Sequence, residues 1–233
     1  MTRYFLTILF FLSFLTGSVA FCIAPGNASA NDQDTVKDVQ TLYNGIIWTN
    51  LYYRVKEDQF LFSKDLLPGS VSISGKTFKN LQVRYDIYND EIMIPTNRGL
   101  ILQLNKEMVD SFSLNFNGKK YNFVNLRNDS TKSLNGYANL LYKGKTALYV
   151  KYKKEIELLA VDKKYDLFYQ TLRIYFFKDD IFYPITSIRD IYKVIGDDED
   201  ELKAYVKKNK LYLTKKEPQT FILPVVYYDT MNK

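Results

Sequence analysis

The stretch Tyr85–Ile94, YDIYNDEIMI, carries side-chain carboxylate or amide oxygens at Asp86, Asn89, Asp90 and Glu91. Such a group suits two kinds of chemistry: ligation of a hard cation such as calcium, or acid–base work by paired carboxylates. An EF-hand calcium loop takes ligands at positions 1, 3, 5, 7, 9 and 12 with Gly at 6. Counted from Asp86, the third residue is Tyr88 and the sixth is Glu91, so that pattern fails. A second acidic run, DDEDE at 197–201, precedes LKAYVKKN. Acids first and lysines last is the order a helix dipole favours, with Asp197 or Asp198 as the cap.

The chain contains no His, and its one Cys is Cys22. A Ser–His–Asp or Cys–His nucleophile is therefore excluded, as is a His-ligated zinc or copper site. A carboxylate pair for glycoside hydrolysis draws on distant positions, and nothing in the sequence singles one out among 26 acids. No catalytic, cofactor-binding or metal-ligating residue is assigned, no cofactor is implied, and no enzymatic activity is expected.

The oxygens of YDIYNDEIMI have a simpler use as the tip of a hairpin. Asn and Asp tolerate left-handed backbone and favour turns. A two-residue turn at Asn89-Asp90 places Ile87 opposite Ile92 and Tyr85 opposite Ile94, with Val83 extending the apolar face. The same reading applies to SGK at 74–76, NGK at 117–119 and KGK at 143–145, where Gly75, Gly118 and Gly144 supply positive φ. A turn at Asn117-Gly118 sets Phe116 against Lys119, Leu114 against Tyr121 and Phe112 against Phe123. A turn at Asp179-Asp180 sets Phe177 against Phe182 and Phe176 against Tyr183, and Pro184 weakens the strand beyond. LILQLNK (100–106), TALYVKYKKEI (146–156) and LFYQTLRIYFF (167–177) supply further strands.

From Ser187 the period changes. Ile188, Ile191, Tyr192 and Ile195 stand at helical spacing, and Gly196 ends that run. Leu202, Tyr205 and Val206 give the next segment an apolar face, so helix is expected over about 187–209. Phe221, Val225 and Tyr228 suit a short helix started by Pro218, against the argument of Pro224. The expected fold is mainly β (α+β): an antiparallel meander of about ten strands, forming a curved sheet or partial barrel with C-terminal helices. Strands of about six to eight residues, interrupted by Lys151 and Lys153, fall short of the roughly 9–11 that a membrane barrel needs.

Aromatic residues make up 16% of the chain, including 20 tyrosines. Aromatics fill sheet cores and also line lipid and sugar sites. Tyr142, Tyr149, Tyr169 and Tyr175 are candidates to line a ligand cavity, and Trp48 is read as core.

The N-terminus bears on location. Arg3, the apolar run Phe5–Leu15 and the small residues Ala28-Ser29-Ala30 compose a Sec signal peptide over 1–30, with a second cleavage position near Ala20. Phe21 precedes Cys22, where lipoprotein processing wants a small residue, so lipidation is not expected. The mature chain, 31–233, is read as one β-rich domain. Losing Arg3 lowers the net charge from +6 to +5. The basic residues are scattered, without the stripe that nucleic acid demands.

GSVSISGKTFKNLQVRYDIYNDEIMI (69–94), GYANLLYKGKTALYVKYKK (136–154) and LKAYVKKNKL (202–211) resemble a group of exported β-rich proteins of Bacteroidetes-type bacteria. The resemblance spans most of the mature chain. It implies a Gram-negative envelope setting, periplasmic or outer-membrane-associated, and brings no activity with it. Two functions follow as expectations. One is a non-catalytic interaction or scaffold module with an envelope protein partner, recognisable by an exposed apolar patch or a bare sheet edge. The other is a carrier of a lipid or other hydrophobic small molecule in a curved-sheet cavity closed by the helices. Peripheral membrane association is compatible with either.

Overall fold

The computed structural model describes residues 40–127 and 134–231. The expected signal peptide, with Cys22, lies outside the described residues. Among the described residues, eleven strands make up the sheet: β1 (Gly45–Ile47), β2 (Leu67–Ile73), β3 (Lys76–Asp86), β4 (Glu91–Pro95), β5 (Ile101–Leu104), β6 (Val109–Phe116), β7 (Lys119–Asn125), β8 (Tyr137–Lys143), β9 (Ala147–Val161), β10 (Tyr165–Lys178) and β11 (Ile181–Ile185). Their order is β1-β5-β4-β3-β2-β6-β7-β8-β9-β10-β11, and every pair is antiparallel. The sheet is a meander with one rearrangement, and it is not closed: β1 and β11 are its two edges.

That rearrangement shows how the sheet bends. β5 and β6 stand four places apart, about 19 Å in a flat sheet at roughly 4.8 Å per strand. They are joined by a tight turn in which the Met108 amide donates to the Asn105 carbonyl at 3.0 Å. A turn that tight cannot span the flat distance, so the sheet folds back on itself. Leu102 and Leu104 of β5 accordingly share one core with Val109, Phe112 and Leu114 of β6. Aromatic rings fill this core. Phe112 and Phe123 stack at 4.6 Å, and Tyr85 meets Phe112 edge-on at 5.0 Å.

Two of the expected registers are the observed ones. Phe116 pairs with Lys119, Leu114 with Tyr121 and Phe112 with Phe123. Phe177 pairs with Phe182, and Phe176 with Tyr183. Both turns place two successive residues at positive φ: Asn117 at 48° and Gly118 at 71°, Asp179 at 51° and Asp180 at 60°. This matches the twist of the flanking strands.

The acidic hairpin differs. Tyr85 pairs with Ile92 and Asp86 with Glu91, so its loop is Ile87–Asp90 rather than Asn89-Asp90 alone. The shift is by two residues, which preserves the side-chain alternation. Val83, Tyr85, Ile87, Ile92 and Ile94 are all buried, as the alternation requires. Gly144 also departs from expectation. It sits in the β8–β9 loop without positive φ. Strand length is a further correction: β9 runs for 15 residues and β10 for 14.

Helices α1 (Ile188–Ile195), α2 (Glu199–Lys208) and α3 (Ile222–Met231) follow the last strand. The helical region thus extends beyond 209. Pro218 opens a 3-10 turn, Pro218–Phe221, and Pro224 falls in the first turn of α3, where its missing N–H is harmless. Ile191, Leu202, Phe221 and Val225 pack with Leu148, Val150, Ile174 and Phe176 of β9 and β10 into a second core. The sheet face beneath the helices is therefore occupied by side chains.

Candidate functional site

The acidic hairpin splits into residues with different tasks. Asp86 is buried and serves its own loop. Its Oδ1 accepts the amides of Tyr88 and Asn89, each at 2.9 Å, and its Oδ2 accepts the Asn89 side chain at 2.9 Å. Burial pushes this carboxyl up, and the loop hydrogen bonds offset part of that. Asn89 stays at the tip, where its Oδ1 accepts from the Tyr52 hydroxyl at 3.3 Å.

Asp90, at φ 61°, turns its carboxylate inward. Oδ1 meets Lys151 Nζ at 2.8 Å and the Tyr85 hydroxyl at 2.5 Å. Oδ2 meets Lys106 Nζ at 2.6 Å and the Tyr137 amide at 3.3 Å. Burial opposes the charge of Asp90, but the two ammonium groups outweigh it and hold the carboxyl below its usual range. Burial in turn pulls Lys151 down, against the support of Asp90. A carboxylate held by two cations and a phenol has no lone pair oriented for a metal and no reason to take up a proton near neutrality. Glu91 is pushed up by burial and then by Asp86, and does not join the cluster. Among the described residues, no group of three or more His, Cys, Asp or Glu converges as metal ligands do. Asp90 works as a tie, fastening the hairpin tip to β8, β9 and the β5–β6 turn.

Two of the four candidate tyrosines come together and the other two stand apart. Tyr149 and Tyr175 are cross-strand partners on one face and both are buried. Tyr175 lines a cleft of about 200 Å³ with Lys151, Lys153 and Glu155. Tyr142 belongs to the opposite face, against the helix-covered core. Its hydroxyl donates to Asp229 Oδ2 at 2.9 Å. Tyr169 is exposed and donates to Glu155 at 2.6 Å. Trp48 is half-buried, with the Arg84 guanidinium 4.6 Å from its ring.

Asp229 explains Gly144. Its carboxylate accepts from Thr146 Oγ1 at 2.7 Å and from the Thr146 amide at 3.1 Å. A Cβ on Gly144 would lie 2.2 Å from Asp229 Oδ2 and 2.3 Å from the Tyr142 hydroxyl. The loop needs Gly here for close approach of the C-terminal helix, not for a left-handed backbone.

The site that sequence reasoning missed is the tip of the β9–β10 hairpin. Tyr165 pairs with Val161, but the next partner pair is Leu167 with Glu157. Leu158, Leu159 and Ala160 therefore stand opposite Asp166 alone, forming a bulge. Leu158 is 73% exposed and Leu159 is 57% exposed. Leu159 is held at φ 54°, a left-handed conformation that costs a residue with a Cβ about 1–2 kcal/mol. Asp166 Oδ1 fixes the bulge by accepting the Leu159 amide at 2.9 Å. Beside the tip lies a cleft of about 620 Å³ lined by Tyr53, Arg54, Lys56, Lys164, Tyr165 and Leu159 among others. The 50s loop is tied there through the Lys56 amide to the Asp166 carbonyl, at 2.8 Å, and the Phe168 amide to the Lys56 carbonyl, at 3.1 Å. The signal in the sequence was LLAVDKKY, an apolar run that breaks strand alternation just before a turn without Gly.

The fold defines a mainly antiparallel β protein with a folded-back sheet and a C-terminal helical cover. Beyond that class, no family model, no curated protein and no solved structure matches the chain.

Proposed function

We propose that this chain is a non-catalytic interaction module of a Gram-negative cell envelope, and that the bulged tip of the β9–β10 hairpin is its contact surface. The observation that carries this reading is the Leu158-Leu159-Ala160 bulge. Two leucines point into solvent, and one of them is kept in a backbone conformation that an Asn or Gly would adopt at less cost. Asp166 holds the bulge in this conformation, and strain kept at an exposed apolar residue is read as a sign of a binding role. Tyr53, 70% exposed, and Tyr165 extend the apolar surface. The envelope setting rests on the signal-like N-terminus and on the resemblance to exported proteins.

The test is a photo-reactive residue introduced at Leu158 in the exporting cell, compared with one at Tyr212. Tyr212 is also highly exposed but lies after α2. Adducts from 158 and none from 212 are expected. Equal yields at the two positions, or none at 158, contradict the proposal.

A further inference from the structure

We infer that the cleft beside this tip receives the phosphate headgroup of an anionic lipid at a bilayer surface, while the apolar bulge enters the acyl boundary. This inference rests on the tip being the contact surface and names what it contacts. Arg54, Lys56 and Lys164 all line the cleft. Among the described residues, none of the three has a carboxylate within ion-pair distance, whereas Lys106, Lys151 and Lys154 are all paired. Arg54 lies 5.3 Å from the centre of the Tyr53 ring and Lys56 lies 4.5 Å from that of Tyr165. Ring-face contacts hold these cations in place and leave their N–H donors available to an anion. Asp166 is the carboxylate on the cleft, and its Oδ1 is occupied by the Leu159 amide.

The remaining charges narrow the ligand. Glu157, Asp162 and Lys163 stand on the same tip but do not line the cleft, and between 157 and 166 three acids face two lysines. The tip as a whole is therefore not basic, and attraction is confined to one headgroup-sized space. That arrangement suits a single phosphate better than an extended polyanion. The composition of the tip also fits a bilayer surface: two exposed leucines, two exposed tyrosines and the cleft cations stand together there. Tyrosines sit at headgroup level in membranes, and cations beside an inserted apolar face add affinity for anionic lipids.

The experiment is flotation of the exported chain with vesicles of phosphatidylcholine, alone or mixed with phosphatidylglycerol. Three proteins are compared: wild type, Arg54→Glu with Lys164→Glu, and Leu158→Asp with Leu159→Asp. Melting temperatures establish that each is folded. Wild type is expected to bind the phosphatidylglycerol vesicles at least about tenfold more tightly than phosphatidylcholine alone, in a salt-sensitive manner. The cleft variant should lose that preference, and the tip variant should lose binding to both vesicles. Equal binding of wild type to the two compositions overturns the headgroup assignment. Saturable binding of inorganic phosphate without flotation assigns the cleft to a soluble phosphate and overturns the lipid. Absence of flotation together with protein adducts from position 158 overturns this inference and leaves the interaction module standing. Absence of both removes the two together.

Discussion

Asp90 shows how a turn residue acquires a structural charge. From sequence it is one of several oxygens at a hairpin tip, and its preference for a left-handed conformation was legible there. Its partners were not, because Lys106 and Lys151 are brought to it only by the fold-back of the sheet. Asp90→Asn leaves two part-buried cations without their counter-charge and should cost about 2–3 kcal/mol in urea denaturation. The pH dependence has a defined sign. The folded carboxyl titrates below its unfolded value of about 3.9. Its contribution is thus complete above that value and is lost as pH falls through the folded one. The stability gap between wild type and Asp90→Asn should be constant from neutrality down to mildly acid pH, then close in the acid limb. A gap that persists at the lowest pH would show that the carboxylate's charge is not its source. Leu159 makes the opposite case. Leu159→Asn should leave stability unchanged or raise it by up to about 1 kcal/mol, because Asn accepts positive φ more readily. A loss of more than that would mean the leucine belongs to the core.

Among the turns and strands, two glycines that look alike in sequence separate by mechanism. Gly118 stands at φ 71°, and a Cβ added there would meet nothing within 4 Å, so its requirement is purely conformational. Gly118→Val should destabilise by about 2 kcal/mol, since β-branched residues resist positive φ. Gly144 has ordinary backbone and a crowded Cβ position. Gly144→Ala should cost a similar amount, and adding Asp229→Ala should make the two losses clearly less than additive, because the second change removes the obstructing carboxylate and frees the other obstruction, the Tyr142 hydroxyl, from the hydrogen bond that holds it there. Strict additivity in that cycle would contradict the close-approach account. The NGK and KGK motifs could not reveal this difference. The first is set by neighbours in sequence, which alternation reads well. The second depends on a helix far along the chain, as the Asp229–Thr146 separation of 83 residues shows. The same contrast explains the acidic hairpin, where loop length moved by two residues but the buried face did not.

Across the whole molecule, the antiparallel meander and its C-terminal helices were legible because both follow from local periodicity. A curved sheet was expected, but where it folds back was not legible, since that depends on the short β5–β6 link meeting a non-sequential neighbour, β2. The hairpin tip escaped for a related reason: LLAV marks a local break in alternation, but only the pairing of β9 with β10 shows that a bulge opposite Asp166 turns it outward. On the proposed reading, the exposed apolar tip is a surface held out for contact rather than a leftover of packing. Leu158→Asp with Leu159→Asp removes that surface without touching any of the buried clusters, so the melting temperature should stay within a few degrees of wild type. The most direct measurement is envelope fractionation of cells exporting this double variant beside wild type. A fall of about tenfold or more in the envelope-associated fraction, with the fold intact, is the expected result. Equal association of the two proteins would contradict the assignment of the tip as the contact surface.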